Sequence, residues 1–168
     1  MAGKATPGED GTPRGREKRS AARLAALQAL YQLEITGISA NDVIDEFIAH
    51  RFQEDGGGHD EAFFADIVHG VLKRQVEIDR SLAGALAAGW TLTRIDSILR
   101  ALLRCAAYEL VGRSDVPVKV VIDEYVELAR DFFDGTEPGF VNAVLDRLAH
   151  GKRAAEFGEA PPDDKLRL

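Results

Sequence analysis

From Leu24 to Leu148 the apolar residues recur every three to four positions, and this spacing constrains the fold more than any other feature of the chain. Leu24, Leu27, Tyr31 and Ile35 mark a first stripe that Gly37 ends. Ser39 or Asn41 can cap a short helix carrying Val43, Ile44, Phe47 and Ile48, and Gly56-Gly57-Gly58 is a flexible break. Phe63, Phe64, Ile67, Val68, Val71, Leu72, Ile78, Leu82 and Leu86 predict one long helix, or two joined near Gly70. Thr93 is a plausible cap for a stripe of Ile95, Ile98, Leu99, Leu102, Ala106 and Leu110, ended by Gly112. Asp115 and Pro117 suit the entry to a helix with Val118, Val121, Ile122, Tyr125, Leu128, Ala129 and Phe132. Thr136 or Glu137 opens the last, with Phe140, Val141, Val144, Leu145 and Leu148. The one strand-like run, Val116 to Ile122, contains a proline and flows into helical spacing, so it too is predicted helical. Leu and Ala carry the apolar load while aromatics make up only 7%, a balance that favours helix. The expectation is an all-α, orthogonal bundle of six to seven helices over residues 16–150. Residues 1–15 and 151–168, rich in Gly, Pro and charge, are expected to be loose tails.

The chemistry of catalysis is missing from this pattern. Gly56-Gly57-Gly58 lacks the Lys-Ser/Thr and the preceding strand of a phosphate loop, and His50, His59, His69 and His150 have no metal-site spacing. The lone Cys105 excludes an intramolecular disulfide or a cysteine-built zinc site, and it falls in an apolar helix as a core thiol. Asp123, Glu124 and Glu127 fit a solvated helix face better than an acid pair. No apolar run approaches the roughly 18 residues of a membrane span, and the first twenty residues lack the apolar segment of a secretory signal. A cytoplasmic chain that is not an enzyme, with no cofactor and no metal, is expected.

Charge is the remaining signal. The net charge is −7, yet Arg14 to Arg23 hold five basic residues against Glu17 alone, a local +4 that leaves −11 on the rest. An acidic body repels polyanions, so a basic end can localise their contact; the plainer reading is a solubilising tail. Arg16, Arg19 and Arg23 are spaced i, i+3, i+7, one stripe on a helix, and that stripe runs into Leu27 and Leu30. Because arginines cannot continue a buried stripe without partners, the guanidinium groups are expected to stand out in water, with Lys18 beside them as a mobile charge. Single-stranded RNA also needs rings on which bases stack. Tyr31 and Phe140 are candidates, with core packing as the alternative for each.

Four stretches in collinear order are similar to one family. Lys18-Arg19-Ser20-Ala21-Ala22-Arg23 with Leu27-Gln28-Ala29-Leu30-Tyr31 resembles the opening helix of the bacterial transcription antitermination factors of the NusB family. Trp90 and Arg94-Ile95-Asp96, then Leu103-Arg104 and Tyr108-Glu109-Leu110, are similar to its central helix. Asp115-Val116-Pro117-Val118-Lys119-Val120-Val121-Ile122-Asp123-Glu124 with Glu127-Leu128-Ala129, and Phe140-Val141-Asn142-Ala143-Val144-Leu145-Asp146, resemble the next two signatures. The resemblance implies two small helical subdomains. It also implies binding to boxA RNA of ribosomal RNA operons together with NusE, a small-subunit ribosomal protein, on an RNA polymerase that also carries NusA and NusG. It places the RNA contacts at Arg19 and Arg23, then Arg16 and Lys18, with Tyr31 and Phe140 on the RNA surface. The chain departs from the family's most basic members at Ser20 and Ala21, which shifts weight onto Arg14 and Arg16, and in the loop Gly135-Thr136-Glu137-Pro138-Gly139.

Two other readings compete. One is a purely structural, protein-binding bundle whose basic end is incidental. The other is a relative of the N-terminal domain of an RNA cytosine methyltransferase, against which the 168 residues hold no methyl-donor domain and no cysteine pair.

Overall fold

The structure is a computed structural model and describes residues 13–54 and 60–158. Eight α-helical segments account for most of them, and no strand occurs among the described residues. The chain divides into two compact units, Met1–His69 and Gly70–Leu168.

The first unit opens with α1, Pro13–Thr36, whose far end is turned by Gly37 at φ +69°. The buried face of α1 keeps Leu27 of the predicted stripe but not its other members. Ala22, Ala25, Ala26, Leu27, Ala29 and Leu30 are buried, while Leu24 and Tyr31 are half-exposed and Ile35 is 61% exposed. Small alanines, which stripe-counting undervalues, let neighbouring helices approach closely and so define the packed side. Ser39 caps α2, Ala40–Glu46, by accepting the Asp42 N–H at 3.2 Å. A π-helical turn, Phe47–Arg51, then leads into α3, Phe52–Glu54. The Phe52 N–H donates to the Phe47 carbonyl, five residues back, and this widened turn brings both rings inward. Phe64 receives them, stacked on Phe47 at 5.5 Å and edge-on to Phe52 at 4.9 Å. The Gly56-Gly57-Gly58 break lies outside the described residues. Asp60 then caps α4, Glu61–Lys73, through its Oδ1 and the Phe63 N–H at 3.0 Å.

The division between units falls inside α4, and the second unit takes its last turn. α5, Gln75–Ala85, starts after Arg74, whose φ of −110° breaks the helix four residues beyond the predicted joint at Gly70. Gly70 serves another purpose: a Cβ there would come within 2.1 Å of the Tyr108 ring. Thr93 is not a cap. It lies in a 3₁₀ turn, Leu92–Arg94, and α6, Ser97–Gly112, is capped by Asp96, whose carboxylate accepts the Ile98 and Leu99 N–H groups. α6 is the centre of this unit, with ten buried residues, and α5, α7 (Val118–Phe132) and α8 (Glu137–Lys152) pack on it. Arg104 of α6 grips Asp79 of α5 with two hydrogen bonds of 2.8 and 3.0 Å, and the Tyr125 hydroxyl donates to the buried Glu109 carboxylate. Phe132, predicted for the core, is more than a third exposed at the end of α7.

Some of the residues expected in the loose tails are helical. Helix α1 already includes Pro13–Gly15, and the chain beyond α8 forms a 3₁₀ turn, Ala154–Phe157. Buried Arg153 anchors that turn by donating to the Ser114 and Val116 carbonyls and to Glu156, whose other oxygen accepts the Val118 N–H at α7's start. Residues 1–12 and 159–168 of those tails lie outside the described residues.

Candidate nucleic-acid interface

The basic positions of α1 meet the start of α4 within the first unit. Phe63, buried under this corner, carries two guanidinium groups on its ring: Arg19 at 4.6 Å from the centroid and Arg23 at 5.0 Å. Cation–π contact of this kind holds a charged group against an apolar surface without neutralising it. Asp60 completes the corner. Its Oδ2 lies 3.7 Å from Arg19 Nε, and its N–H donates to the Lys18 carbonyl at 3.2 Å. Arg16 is exposed, Lys18 and Arg19 are half-buried, and the Ser20 hydroxyl donates back to the Arg16 carbonyl.

One expectation fails here. Arg23 does not stand out in water; it is 1% exposed. The arginine stripe does continue into the packed face, because an aromatic ring supplied by α4 shares the guanidinium's environment. Arg19 is partly committed as well, to a carboxylate of its own chain. Among the described basic residues of this segment the exposed one is therefore Arg16, with Arg19 and Lys18 accessible in part. Asp60 and Phe63 were not foreseen as parts of this corner. Asp60 before an apolar run carries the signature of a helix cap, but nothing in the spacing links it to Arg19 across forty intervening positions.

The two ring candidates lie in different units. Tyr31 is half-exposed on α1. Phe140, in the first turn of α8, is half-buried and has the Trp90 ring 5.8 Å away, with planes inclined at 50°. Trp90 and Arg94-Ile95-Asp96 precede α6 rather than forming part of it.

The described residues thus form an all-helical protein with a guanidinium-bearing corner on a chain of net charge −7. The profile of the NusB family matches residues 20–150, and the chain belongs to that family. It is 51% identical over 142 residues to the transcription antitermination protein NusB of Caulobacter vibrioides, an alignment covering 82% of this chain and 95% of that protein. To the NusB of Maricaulis maris it is 50% identical over 144 residues, covering 83% and 90%. Among solved structures it is similar to T. maritima NusB, with a TM-score of 0.69 and 28% identity over 89% of this chain and 97% of that one. A NusB from a complex of the antitermination factors NusB and NusE with double-stranded RNA shares the fold, with a TM-score of 0.65 and 23% identity over 79% of this chain and 96% of that one.

Proposed function

We propose that the chain is a transcription antitermination factor that binds boxA RNA of ribosomal RNA operons together with NusE. In this reading it acts in the cytoplasm, on an elongating RNA polymerase that also carries NusA and NusG. Family membership supports the role, and the structural observation that carries the RNA contact is the guanidinium pair on Phe63 beside exposed Arg16. The chain works by holding molecules together. If RNA and NusE each raise the other's affinity, they do so by the same factor, because coupling free energy is reciprocal. Arg16, Lys18 and Arg19 meet phosphates, Arg23 builds the corner from below, and Tyr31 and Phe140 offer ring surfaces, each within its own unit.

The test is a titration of labelled boxA-type RNA, with and without NusE, across a salt series. Affinity is expected to rise with NusE and to fall with salt. Arg16→Ala and Arg19→Ala should each flatten the log–log salt slope by about 0.7, the value for one phosphate contact on a single strand. If both variants keep the wild-type affinity and slope, the basic corner is not the RNA site.

A further inference from the structure

Two helical glycines of the second unit serve neither a turn nor close packing. Gly84 of α5 and Gly151 in the last turn of α8 have no positive φ, and a Cβ added at either would meet nothing within 4 Å. Inside a helix glycine costs roughly 0.5–1 kcal/mol relative to alanine, so Gly84 leaves open a space that a larger residue could have used. That space is a hollow of about 280 Å³ between the two helices. Ser81, Gly84 and Ala85 line it from α5, sharing one face by their i, i+3, i+4 spacing. Arg147, Leu148, Gly151 and Lys152 line it from α8.

The hollow gathers hydrogen-bond donors on an acidic chain. Its lining holds two cations and no carboxylate, although the net charge of the protein is −7. Arg147 Nε donates to the Ala85 carbonyl at 2.7 Å, which fixes the guanidinium at the rim. Among the described residues the Arg147 Nη atoms, the Ser81 hydroxyl and the Lys152 ammonium have no hydrogen-bond partner. The nearby acids of α5 are committed elsewhere. Glu77, which feels Lys152 through space, accepts two 3.0 Å hydrogen bonds from Arg74, and Asp79 is gripped by Arg104. Both helices end at this hollow, and bare carbonyls there would repel an anion. Those of Leu82, Ala85 and Ala149 are taken, by the Leu86 N–H, Arg147 and the Arg153 N–H. A guanidinium, an ammonium and a hydroxyl around one small space match the three acceptor oxygens of a phosphate group. A carboxylate has two oxygens and would leave one of these donors unmet.

We propose that the hollow between α5 and α8 is a binding site for the phosphate group of a small molecule, held by Arg147, Lys152 and Ser81. Leu148 and Ala85 offer apolar contact to whatever carries the phosphate. The site lies wholly within the second unit and does not depend on the RNA-binding reading.

The test follows the backbone amide signals of the isotopically labelled full chain by NMR, during titration with inorganic phosphate, glycerol 3-phosphate and acetate. Saturable shifts are expected at Ser81, Gly84, Ala85, Gly151 and Lys152 with both phosphates, and not with acetate. Tighter binding of glycerol 3-phosphate identifies a phosphorylated organic molecule as the ligand, and equal binding identifies phosphate itself. Lys152→Gln should weaken binding about fivefold, as for one charge contact at a surface. Gly84→Ala should weaken it by a similar factor, because its methyl group occupies the hollow, while the Tm does not fall. Affinity of both variants for labelled boxA-type RNA, read by fluorescence anisotropy, should equal that of wild type. If the phosphates leave these signals unmoved, if acetate moves them as strongly, or if both variants bind phosphate like wild type, there is no phosphate site. If RNA shifts the same signals and both variants lose RNA affinity, the hollow lies on the RNA path and the proposal is overturned.

Discussion

Arg23 illustrates how a single side chain can contradict its helical pattern. Arginine stays charged in proteins, so its burial requires groups that tolerate the charge. The Phe63 ring is one such group, and it also positions Arg19 one turn earlier. Asp60 bears on that geometry from the opposite direction, since a carboxylate at 3.7 Å competes with any phosphate for Arg19. Asp60→Asn separates its two roles. The asparagine amide oxygen can still cap α4 through the Phe63 N–H, so Tm should change little, whereas the competing charge is gone. With the pair partly exposed and worth at most about 1 kcal/mol, RNA affinity should rise about two- to fivefold, read from the same anisotropy titration. A loss of affinity would mean that Asp60 orients Arg19 for RNA rather than competing with it.

At the scale of elements, glycines that look alike in sequence carry opposite consequences. Gly70 and Gly84 both lie inside helices, α4 and α5. A methyl group at Gly70 would collide with the Tyr108 ring at 2.1 Å, and that ring is itself buried and hemmed in by Gly112, where an added Cβ would meet it at 2.7 Å. A methyl group at Gly84 meets nothing within 4 Å. Gly70→Ala is therefore expected to destabilise the protein by about 1–3 kcal/mol through overpacking. Gly84→Ala is expected to stabilise it by about 0.4–1 kcal/mol by restricting the unfolded chain. Urea unfolding of the two variants beside wild type decides the matter, and equal shifts of the same sign would show that helix propensity, not packing, governs both sites. The π turn at Phe47–Arg51 is a further element-scale device, for it lets two phenylalanines five positions apart share one ring partner.

For the whole molecule, the distribution of charge and the depth of the core set what can approach it. Cys105 lies in the middle of α6 with no exposed surface, and burial, reinforced by the nearby Glu109, pushes its thiol well above the ordinary value. The thiolate is the reactive form, so the native protein should leave Cys105 unmodified by a chromogenic disulfide reagent at neutral pH. One equivalent should react once denaturant unfolds the chain. Rapid labelling under native conditions would mean that α6 opens far more readily than its packing implies. No helix among the described residues is long and apolar enough to cross a membrane.

Helix after helix was legible because periodicity and capping are local: Gly37, Ser39 and Pro117 act on neighbours within a turn. Family membership was legible for a related reason, four short stretches being specific once their order is kept. The candidate site was legible only as a list of residue types. Which arginine stays in water, which is buried under a phenylalanine, and that Trp90 lies against Phe140 depend on partners forty to fifty positions away. Such meetings are settled when helices pack, because the ring or carboxylate that satisfies a charge comes from another element and leaves no trace in the spacing of its own. Alone, the sequence determined the helices, the acidic balance and the family. Tertiary structure decided where each charge and ring is presented.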